Sequence, residues 1–172
     1  MANKAVSNTE LSMASELMAN LLISNEQEMR AFGARLLSVC DHGGVITLSG
    51  ELGTGKTTLV RGALQSQGIV SGVRSPTYTL VEYYPLERFA VAHFDLYRLG
   101  DAEELEYLGY RDYLNPETLC LIEWPQRAAG YLNAVDLAIE LDYDDAGRRL
   151  KLVAGSDWGA ELIARLNRVE SG

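Results

Sequence analysis

Residues 50–57 constrain this chain more than any others: Gly50-Glu51-Leu52-Gly53-Thr54-Gly55-Lys56-Thr57, a phosphate-binding loop of the form G-x-x-x-x-G-K-[ST]. Its glycines let the backbone curl so that successive N–H groups converge on an anion. Lys56 stands where an ammonium would neutralise β- and γ-phosphates, and Thr57 where a hydroxyl would ligate Mg²⁺. The preceding Val45-Ile46-Thr47-Leu48-Ser49 is β-branched and apolar, which predicts a strand. The following Thr58–Leu64 reads as a helix, whose N-terminal dipole favours an anion. The chain has only three lysines, so a lysine falling by chance into a glycine-rich strand-to-helix turn is improbable. Strand, loop and helix in this order demand an α/β chain that binds a nucleotide triphosphate.

The remaining composition narrows the setting. At 172 residues the chain fits one domain, 1–172, that buries its own core without metal or disulfide support. Cys40 and Cys120 are too few for a disulfide framework, and the apolar run around Cys120 makes it a core thiol. No segment approaches the roughly 18 apolar residues of a membrane span, and no signal-peptide pattern opens the sequence. A cytoplasmic protein with no membrane association is the expectation. The net charge of −9 argues against broad binding of nucleic acid, which needs clustered Lys and Arg. RNA would enter this protein's biology only indirectly, through a partner.

Along the chain, residues 1–15 are polar and read as a flexible extension. Leu17–Ile23 fits either a strand or a helix end. Ser24 or Asn25 caps a helix running to about Cys40, whose Met29, Phe32, Leu36, Leu37 and Cys40 recur at helical spacing. His42, beside two glycines, reads as a solvated turn residue. Strands are predicted over 78–84, 89–94 and 119–122, and a short helix begins at Asp101. Asp136–Leu141 and Arg149–Val153 alternate around Asp144-Asp145-Ala146-Gly147 as an antiparallel hairpin, and a last amphipathic helix spans Asp157–Leu166.

A phosphate loop only binds; hydrolysis or transfer also needs a carboxylate near Mg²⁺ and a group that orients the attacking nucleophile. Asp95 and Glu123 each end an apolar strand, and ligands of open α/β sheets sit outside the carboxyl ends of the strands. The alternative for each is an ordinary helix cap or a solvated strand end. Glu123 follows the more hydrophobic strand and has the better claim on the metal. Ser75-Pro76-Thr77 is either a switch element near the γ-phosphate or a proline-led turn, and Trp124 fits core or interface. Arg98, Arg127 and Arg148 are each a weak candidate for stabilising transferred charge.

Four segments together are specific: Gly50–Thr58, Ser75-Pro76-Thr77-Tyr78-Thr79-Leu80-Val81-Glu82, His93-Phe94-Asp95-Leu96-Tyr97-Arg98-Leu99 and Ile122-Glu123-Trp124-Pro125. In this order and spacing they resemble the TsaE (YjeE) family, small bacterial ATPases of tRNA threonylcarbamoyladenosine synthesis. The resemblance covers about Ser24 to Gly155. It implies ATP and Mg²⁺ as cofactors, slow intrinsic hydrolysis, and association with the TsaB and TsaD proteins, which modify adenosine 37 of tRNAs reading A-starting codons. The nucleotide cycle would reset that complex between turnovers.

Carried over residue by residue, the resemblance makes Lys56, Asp95 and Glu123 catalytic and gives the metal to Thr57 and Glu123. Gly53, Thr54, Gly55, Lys56, Thr57 and Thr58 would bind the phosphates. Thr77 would belong to a nucleotide-responsive loop and Trp124 would flank the metal. Glu26 would sit near the adenosine end, and Arg148 would reach the nucleotide from the hairpin. Gln126 stands where many members have Glu, so no carboxylate role is carried over there. The implied fold is α/β, a three-layer P-loop NTPase-like arrangement whose mixed sheet has central parallel strands and antiparallel edge strands. Two other readings share the loop: a small-molecule kinase, disfavoured because 126–132 is a short segment with one arginine rather than an arginine-rich lid, and a non-catalytic nucleotide-gated binding module.

Overall fold

In the computed structural model, which describes residues 18–73, 76 and 78–170, the strands join in one sheet. They are β1 (Met18–Ile23), β2 (Gly44–Ser49), β3 (Val81–Pro85), β4 (Ala90–Asp95), β5 (Thr118–Glu123), β6 (Leu137–Asp144) and β7 (Gly147–Ala154). Their spatial order is β1-β7-β6-β2-β5-β4-β3. Four helices accompany them among the described residues: α1 (Glu26–Val39), α2 (Lys56–Gln65), α3 (Glu104–Tyr107) and α4 (Asp157–Glu170). The central pairs β6–β2, β2–β5 and β5–β4 are parallel, while β1–β7, β7–β6 and β3–β4 are antiparallel. The expected mixed sheet is observed, and the ambiguous segment before Ser24 is its edge strand.

The two faces are covered differently. On one, α1, α2 and α4 pack Phe32, Leu36, Leu59, Val60, Leu162 and Ile163 against sheet residues such as Ile46, Leu121, Ile139 and Leu152. On the other, Val45, Ala92, Phe94, Cys120 and Ile122 meet a thin layer built from α3 and the 3₁₀ turns Tyr110–Tyr113 and Pro125–Ala128. With both faces covered, every residue of β4 and β5 is buried, which is why β5 reads as a continuous apolar run. Cys120 is a core residue as expected; burial pushes the thiols of Cys40 and Cys120 up to about 12.

Asn25 is the cap of α1. Its Oδ1 accepts the Glu28 N–H at 2.9 Å, and the Glu28 carboxylate reaches back to the Ser24 N–H at 2.7 Å. Two glycines bring α1 onto α2. A Cβ on Gly33 would lie 2.0 Å from the Leu59 carbonyl oxygen, and one on Gly62 would lie 2.2 Å from that of Arg30. Only hydrogen fits at either position, so the helix that follows the phosphate loop is held backbone to backbone.

The strand expected over 78–84 begins later. Tyr78–Leu80 form a turn, with the Leu80 N–H donated to the Pro76 carbonyl at 2.8 Å and Leu80 at φ 62°, outside the extended region. Apolar and β-branched composition could not distinguish a turn from a strand there. Residues 1–17, Ser75 and Thr77 lie outside the described residues, and with them the expected N-terminal extension and switch element. No helix among the described residues is long and apolar enough to cross a membrane.

Candidate functional site

Parallel pairing brings the carboxyl ends of β2, β4 and β5 to one edge of the sheet, where Glu123 stands in register with both Asp95 and Leu48. The phosphate loop leaves β2 at the same edge. Gly50, Gly53 and Gly55 have φ of 146°, 80° and 107°, which L-residues rarely adopt, so the loop's curl depends on them. Gly50 is also closed in by the hairpin: a Cβ there would sit 2.3 Å from the Leu141 carbonyl oxygen. Gly55 is the N-cap of α2, and the loop's amides therefore run directly into a helix N-terminus.

Lys56 is folded back into this loop. Its Nζ donates to the carbonyls of Gly50 at 2.6 Å and Glu51 at 2.8 Å, and it lies 4.2 Å from the centre of the Trp124 ring. Only 4% of the residue is exposed. Burial lowers its pKa, and the nearby carboxylates of Glu123 and Asp95 oppose that shift. Thr54 accepts a longer contact from the same ammonium at 3.5 Å and donates to the Glu51 carbonyl at 2.9 Å.

Thr57 and Glu123, 66 positions apart in sequence, meet directly: the Thr57 hydroxyl is 3.0 Å from each carboxylate oxygen. His93, one strand over, places Nε2 2.7 Å from Glu123 Oε1. Asp95 is buried at the end of β4, and its Oδ1 accepts the Tyr97 N–H at 3.0 Å. Trp124 leaves β5 at φ 58° and donates its N–H to the Leu48 carbonyl at 3.2 Å, tying the end of β5 to the strand that feeds the loop. Its ring packs on Tyr97 with centroids 4.8 Å apart.

Two concavities share the loop. One of about 410 Å³ is lined by Lys56, Thr57, Asp95, Arg98, Glu123 and Trp124. The other, about 270 Å³, is lined by Asn25, Glu26, Met29, Thr54, Gly147 and Arg148. Gly53, Gly55 and Thr58 border both, so the two flank the loop, one by the acidic strand ends and the other by the start of α1. Glu26 and Arg148 thus stand at the second cavity, away from the carboxylates. The Arg30 guanidinium, hydrogen-bonded to Glu26 at 3.1 Å, holds that carboxyl below its usual range. Arg148 points to the Gly53 carbonyl at 3.4 Å and lies over Tyr143.

The donor set fits a small hard cation. It offers one carboxylate and one hydroxyl beside a loop of amides, and no group of three or more His, Cys, Asp or Glu that could hold a metal ion exists among the described residues. Mg²⁺ uses such sites, taking one or two protein oxygens and completing its shell with water and phosphate. Each described residue that the sequence assigned to the nucleotide or metal lines one of the two concavities, as does Arg98, whereas Arg127 lines neither and lies over the Tyr97 ring. His93 opens one of the four family-like segments, but nothing in the sequence pointed it at Glu123, and Tyr143, whose hydroxyl donates to the Leu52 carbonyl at 2.6 Å, carried no signal.

Comparison with known proteins bears on the family and the fold. The family model described as "Threonylcarbamoyl adenosine biosynthesis protein TsaE" matches residues 23–150. A Haemophilus influenzae tRNA threonylcarbamoyladenosine biosynthesis protein TsaE is 42% identical over 147 residues, 83% of this chain and 93% of the relative. The Bacillus subtilis protein of the same name is 37% identical over 100 residues, 58% of this chain and 62% of the relative. Among solved structures, Bacillus subtilis YdiB superposes with a TM-score of 0.69 at 26% identity, covering 90% of this chain and 95% of that one.

Proposed function

The chain belongs to the TsaE family of threonylcarbamoyladenosine biosynthesis proteins, and we propose that within that pathway it is an ATP-binding, ATP-hydrolysing accessory subunit. It would work with TsaB and TsaD proteins in forming N6-threonylcarbamoyladenosine at position 37 of tRNAs reading A-starting codons, touching tRNA only through that complex. The observation that carries the ATPase reading is the Thr57–Glu123 contact beside Lys56, in a cavity that shares Gly53, Gly55 and Thr58 with a second one.

The residues of these two cavities divide the work. Amides of Gly53–Thr58 cradle the phosphates, supported by the α2 dipole. The Lys56 ammonium exchanges the Gly50 and Glu51 carbonyls for phosphate oxygens, a trade of neutral for charge-assisted hydrogen bonds. Thr57 and Glu123 would hold Mg²⁺, which would supply neutralisation of the phosphate charge. Asp95, one strand from Glu123 and fixed by the Tyr97 amide, orients the attacking water. The water oxygen joins the γ-phosphorus as the bond to the β-phosphate oxygen breaks, and the water's proton is released to solvent. Glu26, Asn25 and Arg148 line the adenosine end.

The test combines binding and turnover. ATP binding is measured with a fluorescent analogue, and phosphate release is measured with and without the TsaB–TsaD pair. The reading expects slow hydrolysis alone, a change with the pair, and at least a tenfold loss of ATP affinity in Lys56→Ala, as removing a charge-assisted contact predicts. Nucleotide binding indifferent to Lys56→Ala, or label from γ-phosphate appearing on a small acceptor instead of as free phosphate, would overturn it.

A further inference from the structure

We propose that His93 is a positioning residue that holds Glu123 in the orientation its cation site requires. This rests on the cation reading above. His93 is fully buried on β4, and its Nε2 lies 2.7 Å from Glu123 Oε1. Its other ring nitrogen, Nδ1, is buried without a hydrogen-bond partner among the described residues. A proton on Nδ1 would be buried unpaired, while a proton on Nε2 is donated to a carboxylate. The geometry therefore selects the Nε2–H tautomer, a donor aimed at one oxygen of Glu123.

The consequence follows from what surrounds that carboxylate. Glu123 is 2% exposed, and its direct hydrogen-bond partners among the described residues are the Thr57 hydroxyl and His93. Were the Thr57 oxygen to serve a cation, that hydroxyl's hold on the carboxylate would be lost. His93 would then be the remaining contact that fixes the carboxylate, holding it at Oε1. A histidine left with an orphaned ring nitrogen in a core is poorer filling than leucine, so packing alone does not account for it. Outer partners of this kind orient a metal-binding side chain without touching the metal.

The experiment uses the full chain, with Mn²⁺ as a spectroscopic stand-in for Mg²⁺, and compares wild type, His93→Gln and His93→Leu. Mn²⁺ affinity in the presence of ADP is measured by electron paramagnetic resonance, and fluorescent-ADP affinity is measured separately in EDTA. His93→Leu should lose about 10- to 100-fold in Mn²⁺ affinity, the usual effect of removing an outer partner. His93→Gln, which keeps an N–H donor at the reach of Nε2, should recover most of that loss. Metal-free nucleotide affinity should be the same in all three. Wild-type Mn²⁺ affinity in His93→Leu, or an equal loss in EDTA, would overturn the positioning role. Failure of the wild type to bind Mn²⁺ with ADP would instead overturn the cation reading itself. A readout needing no variant is the ¹⁵N NMR spectrum of the wild-type imidazole: the Nε2–H tautomer is expected, and an Nδ1–H tautomer sinks the proposal.

Discussion

Replacing Gly33 by alanine tests whether the α1–α2 contact holds the phosphate loop's helix in place. The added Cβ would meet the Leu59 carbonyl oxygen at 2.0 Å, its carbon at 2.9 Å and the Ala63 nitrogen at 3.0 Å. All three are helix backbone, so no side chain can turn away. Relief requires α1 and α2 to separate by about 1 Å in a close-packed interior. Overpacking of this kind costs about 1–3 kcal/mol, and rigid obstacles favour the upper end. The better helix propensity of alanine returns about 0.5–1 kcal/mol. A net loss of about 2 kcal/mol results, which for a chain of this size lowers the melting temperature by about 4–8 °C. Urea unfolding and thermal melts measure it. Gly100→Ala, whose Cβ would meet only the flexible end of the Glu104 carboxylate at 3.0 Å, serves as the control and should stay within about 0.5 kcal/mol. Gly62→Ala strikes the same interface from the other side, so the double variant should lose less than the sum of the two singles. A Gly33→Ala protein as stable as wild type would refute the reasoning.

Three further outcomes follow. Tyr143→Phe removes the hydroxyl that holds the Leu52 carbonyl; it should weaken fluorescent-ATP binding by about 0.5–1.5 kcal/mol, measured by titration, with little effect on the melting temperature. Hydrogen bonds from Arg165 and then Trp158 lower the Asp41 carboxyl from 3.8 to about 2. A depressed carboxylate stabilises the fold above its unfolded value and loses that contribution as pH falls through the folded one, so Asp41→Asn should flatten the decline in urea stability between about pH 4 and pH 2. An identical decline in the variant would contradict this. Cys40 and Cys120, both fully buried with thiols pushed up to about 12, should resist a thiol reagent at pH 8 in the native protein and react once it is unfolded in urea.

By itself the sequence determined the features that depend on neighbours along the chain. The glycine spacing of 50–57 dictates a loop that only glycine conformations allow, and it opens a helix whichever elements pack around it. The apolar run before Glu123 implied a strand buried on both faces, and the alternation around Asp144 implied the hairpin. The turn at Tyr78–Leu80 escaped this reasoning because β-type residues there serve a left-handed backbone at Leu80. Only the tertiary structure decided which distant groups meet. Parallel pairing of β2 with β5 brings Thr57 to Glu123, and pairing of β4 with β5 sets His93 beneath the same carboxylate. The hairpin's Tyr143 and Leu141 close on the loop from strands that share no motif with it. The physical reason is range: backbone preference acts over a few residues, whereas a hydrogen bond between positions 66 apart exists only once sheet register has placed both ends within 3.0 Å.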